Sequence, residues 1–155
     1  MTINQLTQDE CNVILGRASF GHLACSLDDQ PYVVPVFLEY DAGYFYVLST
    51  QGQKIEWMRQ NPKVCVQIDA IKNEENWTSI VVNGTYQELP EPQYTHERAH
   101  ARKLLEKRLR WWEPALAERQ LKSGQDIIDP LFFRIHVESM TGLRASGEAK
   151  PSAAA

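Results

Sequence analysis

The most constraining feature of this 155-residue sequence is a series of short β-branched and aromatic runs separated by turn-forming residues. Between residues 18 and 69 four such runs follow one another: ASFGHLACSL, PYVVPVFLEY, YFYVLS and KVCVQID. The separating segments are Asp28-Asp29-Gln30, Asp41-Ala42-Gly43 and, ahead of the fourth run, Gln60-Asn61-Pro62. Runs of this length bounded by turn formers predict β-strands. Because the first two connections are too short for a crossover helix, the pattern predicts a meander of antiparallel hairpins.

Two more strands are predicted further along the chain, at Ser79–Leu89 and Leu131–Met140. The second of them alternates apolar and polar residues, as a strand does when it buries one face. Six short strands around one core, with helices at the edges, indicate a small antiparallel barrel in an α+β setting. The chain length favours one domain. We assign residues 1–146 to that domain and the small and polar residues 147–155 to a disordered tail.

Two short helices are predicted before the middle of the chain. Thr7 and Glu10 have capping-box spacing ahead of an apolar run that ends near Gly16. Residues 52–60, GQKIEWMRQ, form the second helix, because Asn61-Pro62 ends the helical pattern. Ser49 or Thr50 is expected to cap this helix.

A third helix is predicted from about Thr95 to Trp112, with an apolar stripe formed by Leu105, Leu109 and Trp112. It contains His96-Glu97-Arg98-Ala99-His100, the HExxH pattern with which zinc peptidases bind metal. A charged residue between the histidines and the lack of a third ligand at a defined spacing favour coincidence on an exposed helix. We therefore predict no metal site and keep the zinc peptidase as a minor alternative. The helix also concentrates basic residues, for which a solvated face is the simpler interpretation: Arg98, Arg102, Lys103, Lys107, Arg108 and Arg110.

Composition limits the classes of partner. The 16 basic and 20 acidic residues give a formal net charge of -4, which argues against a globally basic nucleic-acid binder. The three cysteines show neither disulfide-framework nor zinc-site spacing. The first residues lack signal-peptide features, and no apolar run has the length of a membrane helix. We expect a cytoplasmic protein that binds neither nucleic acid nor membrane.

The segment Ser49-Thr50-Gln51-Gly52-Gln53-Lys54 follows a predicted strand and opens a predicted helix. The first turn of a helix carries unpaired amide groups with partial positive charge. Two hydroxyl groups and the ammonium group of Lys54 stand beside that turn, so the corner fits a phosphate monoester. The alternative is an ordinary helix cap with a surface lysine. No GxGxxG or GxxxxGK pattern occurs that would place the phosphate elsewhere.

Two further features stand out in the predicted strands. Pro35 lies inside a strand, where it cannot donate to a ladder, so the backbone there is expected to bulge or to turn away from a neighbour. Trp77 precedes Thr78 and Ser79 and either covers a planar ring or plugs the end of the barrel. The plug is the more common outcome.

Taken in order, these pieces resemble the pyridoxamine 5'-phosphate oxidase-like flavoproteins, the FMN-binding split barrels. The similar segments cover most of residues 10–145: GHLA at 21–24, PYVVPV at 31–36, YFY through GQK at 44–54, NPKV at 61–64, WTSIVVNG at 77–84, and FRI through TG at 133–142. Within the superfamily the sequence is most similar to the nitroimidazole-resistance (Nim-like) branch, through the segment at residues 77–84 and the later Thr141-Gly142.

The resemblance implies a homodimer of six-stranded split barrels that binds FMN at the subunit interface. It also implies three groups of cofactor-binding residues: Val34, Pro35 and Val36 along the isoalloxazine ring, Ser49, Thr50 and Lys54 at the phosphate, and Trp77 and Ser79 bordering the cofactor or the facing subunit. On this basis we expect an FMN-dependent oxidoreductase that exchanges electrons with a small-molecule donor or acceptor. The alternative is a non-catalytic protein that holds flavin, or holds haem through one of the chain's four histidines.

The sequence departs from the family in two places. Nim-like proteins often carry a histidine four residues before the glycine of the corner, and this chain has Leu48 there. The arrangement of Arg and Trp that pyridoxamine phosphate oxidases use on their substrate is not evident after Gly142. We therefore assign no catalytic residue and do not expect vitamin B6 oxidation.

Overall fold

All six predicted strands form in the computed structural model, which describes residues 1–107 and 130–147, and two short strands join them. The strands are β1 (Thr2–Gln5), β2 (Phe20–Leu27), β3 (Gln30–Phe37), β4 (Glu39–Asp41), β5 (Tyr44–Ser49), β6 (Lys63–Asn73), β7 (Asn76–Glu88) and β8 (Leu131–Ser146). The helices in the described part of the chain are α1 (Gln8–Arg17), α2 (Gln53–Gln60) and α3 (Thr95–Glu106). None of these helices has the length and apolar character needed to span a bilayer.

The strands form one antiparallel sheet in the order β3-β2-β6-β7-β8-β5-β4, and β1 pairs with β8. The two ends of this order, β3 and β4, are joined by a single residue, Leu38, which is buried. The sheet must therefore curl until its two edge strands meet at that residue. Within the described residues no ladder joins β3 to β4 or β5, so the barrel stays open along this seam. This is the α+β split barrel that the sequence predicts.

The predicted meander forms only in part. Strands β2 and β3 make a two-residue hairpin in which Asp28 and Asp29 have φ of 50° and 62°, and a second tight turn at Ala42 and Gly43 joins β4 to β5. Positive φ at both central residues defines the turn whose twist matches that of the strands. The run at residues 31–40, however, is two strands and not one. Because it breaks at Leu38, its first part pairs with β2 and its last part pairs with β5.

Pro35 lies on the edge strand β3, and of the two predicted alternatives the structure has the backbone turned away from its neighbour and not the bulge, since the β2–β3 register is unbroken. The amide of Leu38 donates to the carbonyl of Ser19 at 3.1 Å, which fixes the alternation of hydrogen-bonded pairs along this hairpin. Pro31 and Pro35 then occupy positions whose amide side points away from β2. Neither proline costs a ladder hydrogen bond, and the free edge has fewer donors that could pair with another strand.

The core has two parts. The larger part fills the barrel with side chains from most strands, and α1 and α2 add Cys11, Leu15, Ile55 and Met58 to it. The smaller part lies between α3 and the opposite face of β5 and β8. Its members are Tyr46, Leu48, Leu89, Ala101, Leu105 and Phe132. Helices α1 and α2 therefore contribute to the core inside the barrel, and α3 packs on the outside of the sheet over β5 and β8.

The start of α1 confirms the predicted capping box. The Thr7 hydroxyl accepts from the Glu10 amide at 3.2 Å, and the Glu10 carboxylate accepts from the Thr7 amide at 2.8 Å. This hydrogen bond from the backbone of Thr7 holds the pKa of Glu10 below its ordinary value. Glu10 also accepts from Arg144 of β8 at 3.3 Å, which joins the helix to the sheet.

The predicted cap of α2 is wrong. The chain continues past Ser49 and Thr50, and the residue before the helix is Gly52, which makes no side-chain hydrogen bond to it. The predicted end of the third helix, with Leu109 and Trp112, lies outside the described residues. So do residues 148–155 of the predicted tail.

Gly84 marks a position where the barrel tolerates no side chain. It lies at the register shift between β7 and β8. A Cβ atom there would come within 2.7 Å of Ile135 Cγ2 and closer still to the carbonyl oxygen of His136. Gly84→Ala is therefore expected to lower the free energy of unfolding by about 1–3 kcal/mol in urea denaturation, the usual range for overpacking.

Gly16→Ala is the matched control, because no atom lies within 4 Å of a Cβ at this position in α1. There alanine is expected to raise stability by about 0.5–1 kcal/mol, since it removes the entropic disadvantage of a helical glycine. Similar losses in both variants would contradict the close approach at Gly84.

Candidate functional site

The corner that the sequence predicts to bind an anion lies between the end of β5 and the start of α2. Ser49 pairs with Leu131 of β8, and its hydroxyl donates to the Thr50 carbonyl at 3.0 Å. Within residues 1–107 and 130–147, no side chain caps the N-terminus of α2, and a Cβ built on Gly52 would meet no atom within 4 Å. Among these residues nothing blocks the positive end of the helix beside Gly52, which is the arrangement that binds anions.

Lys54, in the first turn of α2, is half-buried and lies beside the β2 strand. Burial raises the pKa of the Cys25 thiol, and the nearby charge of Lys54 offsets part of that increase. The lysine is therefore held between the helix start and the barrel wall. Its ammonium charge adds to the partial charge of the helix N-terminus.

Three contacts fix α2 on the barrel. The Trp57 ring packs against the Tyr32 ring with centroids 5.6 Å apart. Arg59 makes two hydrogen bonds to Glu88 of β7, at 2.9 and 2.5 Å. After the helix, the Asn61 amide donates to the Ser26 carbonyl at 3.0 Å. The corner is thus positioned by contacts to β2, β3 and β7.

A second group of predicted residues lies on the outer face, which we define as the side of β3, β2, β6, β7 and residues 139–145 of β8 that is turned away from the barrel core. Cross-strand partners that share one row of this face are Pro35, His22, Gln67, Val81 and Thr141. Ser79 lies in the next row and Trp77 in the row beyond it. Val34 and Val36 alternate to the opposite side and pack in the core, so only Pro35 of that predicted trio presents its side chain here.

The outer face carries several exposed large hydrophobic side chains. Its exposed large hydrophobic residues are Phe20, Val33, Phe37, Ile71, Val81 and Leu143. The rings of Phe20 and Phe37 contact edge to face with centroids 5.3 Å apart, and His22 contacts the other side of Phe20 at 5.7 Å. Single exposed apolar residues are ordinary, whereas a contiguous set on one face marks an interaction surface.

Sequence reasoning missed a polar network in the middle of this face. His22 Nδ1 lies 3.2 Å from Gln67 Oε1. The amide nitrogen of Gln67 donates to Asp69 Oδ2 at 2.9 Å and to Ser79 Oγ at 3.2 Å. The four residues come from β2, β6 and β7, and only the register of those strands brings them together. The one signal in the sequence is that polar residues interrupt the apolar runs at alternate positions, which places their side chains on the same face of the sheet.

Within one chain the corner and Trp77 are far apart. Lys54 lies beside Cys25 of β2, and the preceding residue, Ala24, pairs with Cys65 of β6. Trp77 of β7 pairs with Ile71, further along the same strand β6. Six strand positions separate Cys65 from Ile71, or about 20 Å at 3.3 Å per residue. The described residues of a single chain therefore do not bring Lys54 and Trp77 into one pocket.

The HExxH pattern serves a structural role in the described residues. His100 Nε2 lies 2.9 Å from Asp41 Oδ2, and its ring meets the Tyr46 ring at 5.3 Å, which attaches α3 to the β4–β5 hairpin. His96 is exposed, and no group of three or more potential metal ligands occurs in residues 1–107 and 130–147. The guanidinium groups of Arg98 and Arg102 lie over the Phe132 ring, so part of the basic patch packs on an aromatic side chain. Arg108 and Arg110 lie outside the described residues.

Leu48 occupies the position at which Nim-like proteins often carry histidine. It is 8% exposed and belongs to the apolar cluster under α3. Tyr46 and Phe132 lie in the same cluster. At this position of β5, where Nim-like proteins often carry a titratable histidine, this chain therefore carries a buried apolar side chain.

The fold and the corner define the class of protein: the chain belongs to the pyridoxamine 5'-phosphate oxidase family, whose pattern matches residues 7–144. It is 40% identical over 146 residues to an uncharacterized protein of Rhizobium meliloti (strain 1021), a similarity that covers 94% of this chain and 97% of the other. An FAD-binding protein of Mesorhizobium loti is 39% identical to this chain, and its structure matches this one with a TM-score of 0.78. The match covers 94% of this chain and 100% of that protein.

The similarity in fold extends to a 5-nitroimidazole antibiotic resistance protein of Bacteroides thetaiotaomicron. Its identity to this chain is 18%, with a TM-score of 0.65 over 93% of this chain and 89% of that one. The predicted family resemblance is confirmed, including the likeness in fold to a nitroimidazole-resistance protein.

Proposed function

We propose that this protein is a flavin-binding oxidoreductase that holds FMN at a homodimer interface. The observation that carries the proposal is the N-terminus of α2, which in the described part of the chain has no side-chain cap and no atom within 4 Å of a Cβ built on Gly52. A phosphate monoester with a charge of about -1.5 to -2 is the ligand that such a corner favours. Its oxygens would accept from the amides of the first turn and from the ammonium group of Lys54.

Family membership and the Mesorhizobium loti relative support a flavin as the bearer of that phosphate. That relative, at 39% identity, is described as an FAD-binding protein. FMN carries the phosphate next to the ribityl chain as a monoester, whereas in FAD that phosphate belongs to a pyrophosphate and carries less charge, so a corner that favours a monoester favours FMN. FMN is the narrower proposal, and parallel titrations with both nucleotides decide it.

The outer face supports a homodimer. Exposed Phe37, Val81 and Leu143 lie on it, and burying such side chains against a second copy is favourable at about 25 cal/mol per Å². In one chain the strand positions beside Lys54 and Trp77 are separated by six residues along β6, or about 20 Å. A second copy that packs on the outer face supplies a way for Trp77 and Ser79 to border a cofactor held at the other chain's corner.

A bound flavin supplies the ring that transfers electrons or hydride, and the protein supplies binding, orientation and electrostatics. The chain's own part is to fix the phosphate at the corner and to exclude water with the apolar outer face. Steady oxidation of a reduced nicotinamide by the flavin-loaded protein tests the oxidoreductase part of the proposal. Binding without turnover of any donor favours the non-catalytic alternative.

Lys54→Ala is expected to weaken flavin binding by about 1.5–3 kcal/mol, the usual contribution of a hydrogen bond to a charged group. This corresponds to a dissociation constant raised by roughly 10- to 150-fold. Quenching of flavin fluorescence by the purified protein measures the affinity. Lys103→Ala, an exposed lysine of α3, is the control and should bind like the wild type. Failure of the wild type to bind either flavin would overturn the proposed function.

Gly52→Asp and Gly52→Asn separate helix capping from anion binding. Both side chains fit the open space and the extended backbone at Gly52, whose φ is 173°. Both are preferred N-cap residues, so each should stabilise the fold by a few tenths of a kcal/mol relative to glycine. Only the aspartate adds a negative charge where the phosphate binds, so its dissociation constant for FMN should be more than about tenfold above that of the asparagine variant. Equal affinities in the two variants would argue against phosphate at this corner.

Val81→Asp is expected to dissociate the proposed homodimer, because it places a charge in the centre of the outer face. Val13→Asp is the matched control, since Val13 is exposed on α1 and not on that face. Sedimentation at micromolar concentration should give a dimeric mass for the wild type and the control and a monomeric mass for Val81→Asp. A monomeric wild type would reject the homodimer and leave the phosphate corner to be tested separately.

A further inference from the structure

We propose that Arg134 forms a second anion site, separate from the corner at Gly52, which binds a small carboxylate through the two terminal nitrogens of its guanidinium group. The site lies on the outside of the barrel beside α3, and it does not depend on the proposed flavin site. Three features support it: the contacts that hold the guanidinium group, the donors that these contacts leave unused, and the charges nearby.

Arg134 lies in the middle of the sheet and not at an edge. Its cross-strand partners are Tyr46 on β5 and Gln87 on β7. Phe132, two residues earlier on β8, packs in the cluster under α3, so the alternation along the strand places Arg134 on the same outer side. The residue is half-buried there. Side chains of both neighbouring strands therefore flank the guanidinium group.

Two contacts hold this group in place. Its Nε donates to Gln87 Oε1 at 2.6 Å, and its Cζ lies 4.2 Å from the centroid of the Tyr44 ring. The Gln87 amide is itself fixed, because its nitrogen donates to the Tyr94 hydroxyl at 3.1 Å. Tyr44 in turn contacts the His136 ring, with centroids 5.1 Å apart. A group that is fixed before a ligand arrives loses little freedom on binding, which favours affinity.

These contacts leave most of the hydrogen-bond donors of Arg134 unused. A guanidinium group has five N–H donors and no acceptor. Gln87 takes the donor at Nε, and residues 1–107 and 130–147 provide no other acceptor for this group. The two terminal nitrogens form a planar fork that matches the two oxygens of a carboxylate. The fork is therefore the part of Arg134 that is available to a ligand.

Arg134 also lacks the counter-charge that comparable arginines have. Among the half-buried arginines of the described residues, Arg98 lies 4.0 Å from a carboxylate oxygen of Glu91, and Arg144 lies 3.3 Å from one of Glu10. In the same part of the chain no carboxylate oxygen lies within 4.0 Å of Arg134. Pairing stabilises a partly buried charge, so an anion at this site supplies what the described residues do not.

The charges around Arg134 favour a ligand with one negative charge. On this side of the sheet Asp41 is bound to His100 at 2.9 Å, and Glu138 accepts a hydrogen bond from β7. Glu39 lies in the same row as Arg134 but two strands away, or about 10 Å at about 4.8 Å per strand. A carboxylate therefore balances the guanidinium charge, whereas a phosphate monoester with a charge of about -1.5 to -2 leaves negative charge over.

The carboxylate site and the phosphate corner are far apart. Tyr44 and Ser49 are the two ends of β5, five residues apart, or about 16 Å at about 3.3 Å per residue. The guanidinium group of Arg134 lies over the Tyr44 end, and the corner begins at the Ser49 end. A carboxylate and a flavin can therefore bind at the same time, and the two proposals are tested separately.

Acetate is the probe for the site in the full chain at pH 7.5, with chloride exchanged for acetate at constant ionic strength. The NMR signal of the Arg134 Nε–H group and the ring signals of Tyr44 should shift and saturate at millimolar acetate. Weak affinity is expected for a ligand of so few atoms. Inorganic phosphate at the same ionic strength should give a smaller shift. A shift that does not saturate with acetate, or an equal response to phosphate, would overturn the inference.

Arg134→Lys and Gln87→Leu separate the fork from the charge. Lysine keeps the charge but has no planar fork, so acetate binding observed at Tyr44 should weaken at least about tenfold. Gln87→Leu frees the Nε edge of the guanidinium group, so the dissociation constant should rise several-fold. Arg102→Gln is the matched control and should respond like the wild type, because Arg102 also lies over an aromatic ring, 5.4 Å from the Phe132 centroid, but is exposed.

Equal affinity for acetate in the wild type and Arg134→Lys would reject the role of the fork. Circular dichroism verifies that each variant is folded. If Arg134→Lys is not folded, the wild-type titration decides the question, because acetate bound elsewhere would leave the Arg134 Nε–H signal unchanged, and that result would overturn the inference. Flavin binding without acetate binding would reject this site alone and leave the phosphate corner intact.

Discussion

The connection of the two sheet edges through Leu38 is the constraint on which the rest of the structure depends. A single buried residue joins β3 at one end of the strand order to β4 at the other. The sheet has no freedom to lie flat under this restraint, so it must enclose a core. The enclosed side takes the apolar side chains of alternate positions, and the other side becomes a convex surface. Within residues 1–107 and 130–147, α3 covers that surface over β5 and β8, and no helix covers it over β2, β3, β6 and β7.

This division gives the two halves of the candidate site different physical origins. The corner at Gly52 is local, since it depends on a helix that begins directly after a strand without a cap. The outer face is non-local, because its rows come from residues that are distant in sequence and aligned by register. His22 and Gln67 are 45 residues apart and become neighbours through one ladder. In the proposed function, recognition of the phosphate is therefore encoded within six residues, whereas recognition of the planar ring is distributed over five strands.

The same distinction explains how much could be predicted from the sequence. Strands, the capping box of α1 and the strand-to-helix corner follow from local patterns, and all are present. The break at Leu38 could not be predicted, because residues 31–40 carry an unbroken strand pattern and only closure of the sheet interrupts it. The cap of α2 was predicted wrongly, since nothing in the hydroxyl residues reveals that the chain extends to Gly52. The network at Gln67 required the register, which a single sequence does not contain.

The two prolines of β3 limit the ways in which copies of this barrel can associate. Pro31 and Pro35 both remove donors from the exposed edge of the sheet. An edge with fewer donors is a poorer template for a strand from another molecule, so edge-to-edge growth into open-ended assemblies is disfavoured. The proposed homodimer uses the outer face instead. Two copies that pack face to face about a twofold axis use up that surface, so the association ends at a finite size.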